Sequence, residues 1–259
     1  MSTRKSRIPV ILLAGAVLVV LAAVGAGAVV GFWGSVDDKS APVQRTFEVG
    51  GDRLTISRSN GDLDVRPADV DEVEVKRWFS GWSVFGKPKA SWDLVGDKLT
   101  LGTDCGFVIS SCSARYEVLV PKNLALTVEG DNGETTATGF DTALRIRSDN
   151  GSVHVSDASG SLTLHSGSGE LRATGIDSGR VEARSANGKV YLAFVSTPDR
   201  VDVRTENGGV TVEVPDAAYK VTTRTENGDV EANVPTDASS DRTISARTEN
   251  GAITLRTAG

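Results

Sequence analysis

The chain has 259 residues, of which 24% are charged and 39% hydrophobic, and its formal net charge at pH 7 is -6. This balance is that of a folded protein, and its acidic sign argues against non-specific binding to nucleic acid, which needs a basic surface. Only 5% of the residues are aromatic whereas 28 are glycine. The combination indicates many turns and predicts β structure.

The N-terminal segment has the pattern of a membrane anchor. Residues 8–33 contain no charged residue, and at about 1.5 Å per residue they are long enough to cross a bilayer as a helix. The basic residues that precede this run are Arg4, Lys5 and Arg7. The positive-inside rule therefore predicts a cytoplasmic tail over residues 1–7 and an extracellular chain after the run.

A cleaved signal peptide is the alternative interpretation of the same segment. Ala26, Gly27 and Ala28 offer a small-residue cleavage site. The apolar run is nevertheless longer than the roughly 7–15 residues of a signal-peptide core. We expect a retained signal-anchor helix, and hence a single-pass protein of the cell membrane with a linker over residues 34–45 and an extracellular domain over residues 46–259.

The extracellular chain is a repeat whose marker is the dipeptide Asn-Gly. The markers begin at Asn60, Asn132, Asn150, Ser168 (a Ser-Gly substitute), Asn187, Asn207, Asn227 and Asn250. From the second marker onward the intervals are 18, 18, 19, 20, 20 and 23 residues. Apolar residues recur at alternate positions on both sides of each marker, so each repeat is predicted to be two short strands joined at a turn.

Two folds are compatible with such a repeat. Independent hairpins would use Asn-Gly as a local turn, whereas a β-solenoid would use it as the corner of a rung. In a solenoid each inward column stacks on itself at about 4.8 Å, which requires the same residue type in register in every repeat. Because the columns are in register, we predict an all-β, parallel β-solenoid of 18–23 residues per rung. The last rung, residues 243–255, is then expected to leave an unpaired edge open to a second molecule.

Residues 72–123 interrupt the repeat and contain a cluster of five large aromatic residues. These are Trp78, Phe79, Trp82, Phe85 and Trp92. We expect an irregular rung or cap that covers one end of the solenoid, because open sheet ends need protection. The alternative is an aromatic contact loop that touches lipid headgroups or a partner.

The same segment contains both cysteines of the chain, Cys105 and Cys112. Outside the cell such a pair is expected to form a disulfide that closes a small loop. Two buried free thiols are the alternative. A metal site is poorly supported, because no histidine lies at ligand spacing from the two thiols.

Three stretches of this repeat resemble the bacterial putative-adhesin domain family, whose function is unknown. They are FEVGGDRLTISRSNGDLDV, YEVLVPKNLALTVEGDNGETTATG and the three RTENG corners, and the resemblance extends from about Phe47 to Gly259. It implies a right-handed β-solenoid and a role at the cell envelope. The motifs specify the repeat and no reaction.

The later rungs place an arginine column beside a carboxylate column on one outer face. The arginines, three positions before the corners, are Arg147, Arg184, Arg204, Arg224 and Arg247. The carboxylates one position before the last three corners are Glu206, Glu226 and Glu249. Two interpretations stay open: the columns neutralise each other, or the arginines bind phosphates or carboxylates of wall polymers, for which the guanidinium fork is suited.

Candidate catalytic residues are few. Asp131 and Asp149 would lie one rung apart, at a separation known from paired carboxylates and calcium ligands, but aspartate before Asn-Gly is common for turn reasons alone. His154 and His165 are the only histidines, and both fall at outward positions.

The sequence therefore predicts no catalytic, cofactor-binding or metal-binding residues and no cofactor. We expect a non-catalytic binding, scaffolding or sensing protein of the cell envelope, with a wall polymer or an envelope protein as its partner. The alternatives are a structural solenoid that self-associates through its ends and a polysaccharide-active enzyme.

Overall fold

The computed structural model describes residues 41–258, and all regular structure in that range is β. The predicted cytoplasmic tail and the predicted membrane span over residues 8–33 lie outside the described residues and stay predictions. Residues 41–258 include no helix with the length and hydropathy that a bilayer crossing requires. The first strand begins at Val43, slightly before the expected start of the domain.

Twenty-one strands follow one another in residues 41–258. The first eleven are β1 (Val43–Phe47), β2 (Arg53–Arg58), β3 (Asp62–Ala68), β4 (Val73–Phe85), β5 (Lys89–Val95), β6 (Lys98–Asp104), β7 (Phe107–Pro121), β8 (Ala125–Asn132), β9 (Thr135–Thr138), β10 (Leu144–Asn150) and β11 (Val153–Ser156). The remaining ten are β12 (Leu162–Ser168), β13 (Leu171–Ile176), β14 (Arg180–Asn187), β15 (Val190–Phe194), β16 (Arg200–Asn207), β17 (Val210–Val214), β18 (Lys220–Arg224), β19 (Val230–Asn233), β20 (Thr243–Asn250) and β21 (Ile253–Thr257).

The strands form two sheets, and each repeat contributes one strand to each of them. The first sheet has the order β1-β4-β7-β3-β9-β11-β13-β15-β17-β21-β19, and the second has the order β18-β20-β16-β14-β12-β10-β8-β2-β6-β5. The two strands that flank an Asn-Gly corner, such as β8 and β9, lie in different sheets, so they do not form a hairpin. Rungs pair with one another in parallel and in register. The predicted stack of parallel rungs is confirmed, whereas its right-handed sense stays a prediction.

The rungs are not stacked in chain order at the C-terminal end. Strands β20 and β21 lie between the rung of β16 and β17 and the rung of β18 and β19. The outermost rung is therefore β18 with β19, and the expectation that the last rung of the sequence has an unpaired edge is wrong. The interval of 23 residues that precedes Asn250 contains the loop that returns the chain past the outermost rung.

The opposite end shows a similar inversion and a cap. Strands β6 and β7 pair in parallel with β2 and β3 on their outer side. Beyond this rung, β4 pairs antiparallel with both β7 and β1, and β5 pairs antiparallel with β6. Residues 72–123 thus supply a complete rung and the antiparallel strands that cover it.

The core between the two sheets consists of stacked aliphatic columns. One such column, buried throughout, contains Leu54, Leu126, Leu144, Leu162, Val181, Val201 and Ile244. Burial of each such side chain contributes about 1.5–3 kcal/mol before the entropy of ordering is subtracted. Leu, Val and Ile suit these positions because a pleated strand points alternate side chains to the same face.

The Asn-Gly corners form two further columns. A Cβ atom on Gly151 would fall far inside van der Waals contact of the carbonyl oxygen of Gly133 in the neighbouring rung, and Gly133 itself has a φ of 103°. Only glycine fits this corner. The asparagine amides form a ladder: Asn207 donates to the Oδ1 of Asn187 at 2.9 Å, and Asn250 donates to the Oδ1 of Asn207 at 2.8 Å.

Candidate functional site

The five arginines predicted as a column lie in one exposed row on the second sheet. In stacking order the row is Arg147, His165, Arg184, Arg204, Arg247 and Arg224. At about 4.8 Å per rung the row is roughly 24 Å long. A groove of about 820 Å³ follows it and is lined by all six side chains. We call this row the arginine row and this groove the row groove.

Four arginines of the row form ion pairs with carboxylates two residues away in the chain. Arg147 pairs with Asp149 at 3.8 Å and Arg224 with Glu226 at 3.7 Å, as the carboxylate column predicts. The two central pairs join Arg184 to Glu182 at 3.0 Å and Arg204 to Asp202 at 3.3 Å. The sequence interpretation missed Glu182, and it placed Asp202 on the outer face without pairing it with Arg204, although residues two positions before and two positions after an arginine share its face of the strand.

Arg247 differs from its neighbours in the row. It lies between Arg204 and Arg224 in the sheet, and within residues 41–258 it forms no ion pair. Glu206 and Glu249 line the same groove without an ion pair in that part of the chain. The two columns therefore do not fully neutralise each other. The row groove keeps exposed guanidinium and carboxylate groups that can bind a charged ligand.

Some aromatic residues of the segment face the core, and others face outward. Trp92 on β5 packs under the guanidinium of Arg77, which lies 4.1 Å from its ring centroid, and its ring centroid lies 6.4 Å from that of Phe47. Phe79 and Trp92 pack against the core, as residues of a cap would. Trp82, on the other face of β4, is 37% exposed, and Trp78 on that face is half-buried. The side chain of Phe85 lies outside the described part of the structure.

Cys105 and Cys112 form the expected disulfide, with their Cα atoms 5.5 Å apart. Cys112 lies opposite Gly81 of β4 in the antiparallel pair. A Cβ atom on Gly81 would come within 2.6 Å of the Cβ of Cys112. Glycine is required there because the disulfide-bonded strand approaches closely.

Arg58 is a buried residue that the sequence interpretation missed. Its side chain occupies an inward position and is 2% exposed. Its guanidinium donates to the carbonyl of Gly61, to the carbonyls of Glu134 and Gly133 at 2.8 and 3.2 Å, and to the Oγ1 of Thr135 at 3.0 Å. Burial lowers the pKa of Arg58 below its ordinary value. Arg58 thus connects the corners of two adjacent rungs.

One signal for this arrangement is present in the sequence. In the inward column that contains Arg58, the next rung carries Gly130, whereas the following rungs carry serine or threonine. A Cβ atom on Gly130 would lie 2.7 Å from a guanidinium nitrogen of Arg58. The absence of a side chain at Gly130 leaves space for the guanidinium of Arg58.

The candidate catalytic residues do not assemble into a site. Asp131 and Asp149 do lie on adjacent rungs, because the asparagines that follow them are paired in register, but Asp149 is paired with Arg147. His154 belongs to the first sheet and His165 to the second. Within residues 41–258 no three His, Cys, Asp or Glu side chains are placed to hold a metal ion.

Fold and surface together define a class: an all-β domain of stacked parallel rungs with charged outer faces and one covered end. The chain belongs to the Toastrack DUF4097 family, whose model matches residues 48–257. The family resemblance noted in the sequence is confirmed. None of the curated proteins matches the chain.

Three solved structures that are similar to this chain come from bacteria. A "putative adhesin" from Bacteroides fragilis is 11% identical, covers 86% of this chain and 100% of its own, and has a TM-score of 0.47. A "putative adhesin" from Parabacteroides distasonis is 11% identical, covers 84% of this chain and 98% of its own, and has a TM-score of 0.44. A "putative cell adhesion protein" from Clostridium sporogenes is 13% identical, covers 84% of this chain and 100% of its own, and has a TM-score of 0.33.

Proposed function

We propose that the protein is a non-catalytic binding module displayed on the outer side of the cell membrane. In this proposal residues 8–33 anchor the chain and the solenoid presents the row groove to the cell envelope. The observation that supports it is the row groove itself, a long surface groove in which Arg247 and two carboxylates have no ion-pair partner within residues 41–258. Related structures named as adhesins agree with such a role but do not add to the argument.

The ligand that the arginines of this groove suit best is an extended polymer with repeated phosphate or carboxylate groups, and Glu206 and Glu249 in the same groove favour a polymer that also carries cationic groups. Guanidinium groups bind such anions with two parallel hydrogen bonds. Each exposed contact contributes only about 0–1 kcal/mol. Several contacts along one rigid row act on the same polymer chain, so the row gains affinity from multivalency that no single arginine supplies.

The test is a comparison of two triple variants of the full chain. R204Q/R224Q/R247Q removes three neighbouring charges of the arginine row, and R53Q/K122Q/K189Q removes three exposed charges elsewhere on the described surface. Binding to isolated cell-wall polymers is measured for phosphate-bearing, carboxylate-bearing and neutral fractions. We expect the row variant to lose binding to an anionic fraction while the control variant retains it. Equal binding by both variants contradicts the proposal.

A second candidate function is self-association through the outermost rung. Strands β18 and β19 are sheet edges, and the inward-facing Val230 of β19 is 45% exposed. Edge strands of this kind can pair with another chain. Lys220 and Arg224 at the two ends of β18 oppose an antiparallel pairing of two identical edges, because like charges would then face each other. Light scattering of the full chain at several concentrations distinguishes this function from polymer binding.

A further inference from the structure

The chain enters the solenoid beside a tryptophan-bearing ribbon. Strand β1 runs antiparallel to β4, with Val43 opposite Arg77 and Phe47 opposite Val73. The residues that precede Val43 therefore approach from the direction in which β4 continues, past Arg77 toward Trp78 and Trp82. The chain directly before Val43 and the far end of β4 therefore lie on the same side of the domain.

Beyond Arg77, β4 is accompanied by β7 as an antiparallel ribbon. Paired residues run from Trp78 with Arg115 to Ser83 with Ser110. Six residues of strand extend roughly 20 Å. We call residues 78–83 and 110–115 the tryptophan ribbon. Trp78 and Trp82 share one face of it, because they are separated by four residues on a strand.

Few residues separate the predicted membrane span from this ribbon. Residues 34–42 are all that separate the uncharged run from Val43, and nine residues extend at most about 30 Å. The base of the ribbon is thus held within that distance of the bilayer surface. Because the ribbon projects roughly 20 Å toward the incoming chain, its far end can reach the headgroup layer.

We propose that Trp78 and Trp82 insert into the interfacial layer of the membrane that anchors the chain. Tryptophan is enriched at this depth because its ring is apolar and its indole N–H is polar. Lys87, exposed directly after β4, adds attraction to anionic headgroups. Anchor and ribbon are two attachment points, and they fix the tilt of the solenoid so that the arginine row faces outward along a defined direction. The inference rests on the proposed membrane anchor and is independent of the ligand of the row groove.

The experiment uses the full chain in vesicles of phosphatidylcholine and phosphatidylglycerol whose acyl chains carry bromine close to the headgroups. Bromine quenches tryptophan emission only at short range. The chain has 4 tryptophans, so W33F first removes the one in the predicted span. We expect brominated lipid to quench most of the W33F emission, and we expect W33F/W78F/W82F to lose most of that quenching.

Three comparisons make the result decisive. W33F/W92F is the matched control, because Trp92 packs under Arg77 and beside Phe47, and it should keep the quenching of W33F. Circular dichroism melts, with W78F and W82F also made singly, show whether each variant is folded. Unquenched W33F that still floats with the vesicles overturns the ribbon contact alone. A chain that does not float with the vesicles overturns the membrane anchor and the ribbon contact together.

Discussion

Replacement of Arg58 with methionine is expected to destabilise the capped end of the solenoid by about 2 kcal/mol. Methionine keeps part of the buried volume but removes every hydrogen bond of the guanidinium. The carbonyls of Gly61, Gly133 and Glu134 then lose a donor. A buried acceptor without a partner costs about 1–3 kcal/mol. We take the low end for Gly61 and Gly133, because removing the cation also relieves the cost of burying a charge, which offsets part of the loss. The carbonyl of Glu134 is not counted, because it keeps the N–H of Leu63 as a donor.

The measurement is a denaturant titration of the full chain, read as a change of midpoint at constant slope. The matched control is Arg53→Met, because Arg53 is exposed on the same strand. Such a surface change is expected to stay within about 0.5 kcal/mol. If the two variants unfold at the same midpoint, the guanidinium contributes nothing net, and the account of Arg58 as a connection between rungs is refuted.

Three other predictions concern the corners and one outer ion pair. Gly151→Ala is expected to destabilise the protein by about 1–3 kcal/mol through overpacking, whereas Gly50→Ala, which meets nothing within 4 Å, should not shift the thermal midpoint. Asn207→Ala removes two hydrogen bonds of the amide ladder. The matched control is Asn150→Ala, because the amide of Asn150 makes no side-chain hydrogen bond within residues 41–258. The free energy of unfolding should fall by about 1 kcal/mol more for Asn207→Ala than for the control, and equal thermal midpoints would exclude a stabilising ladder. A hydrogen bond from Arg256 lowers the pKa of Glu213 below its ordinary value of 4.5, so the carboxylate stabilises the folded state above pH 4.5 and loses this contribution as the pH falls through the lowered pKa. Glu213→Gln should therefore reduce stability at pH 7 and approach the parent at low pH, and a difference that is constant with pH would contradict this assignment.

The repeat could be predicted from the sequence because both of its requirements are local. Inward positions need aliphatic side chains, and the corners need glycine, so the columns can be aligned without knowledge of which rungs touch. The arginine row followed from the same alignment. The central ion pairs of the row could not be predicted from the alignment, because Glu182 and Asp202 occur in only two rungs and form no repeated column.

The order of the rungs could not be predicted for a related reason. The rungs that contain Val201, Val221 and Ile244 present equivalent columns, so any of the three fits against either of the others in the same register. One residue does mark the outermost rung. Thr223 occupies an inward position that holds Val203 or another apolar side chain in the neighbouring rungs, and it is half-buried there.

The inverted order at the C-terminal end has a consequence for synthesis. Strands β18 and β19 leave the ribosome before β20 and β21, yet their partners in the finished stack are those later strands. Until β20 and β21 are synthesised, β16 and β17 offer β18 and β19 an equivalent surface in the same register. The nascent chain therefore passes through a stage in which the wrong neighbour is available. The native order is complete only when β20 and β21 take the place between them.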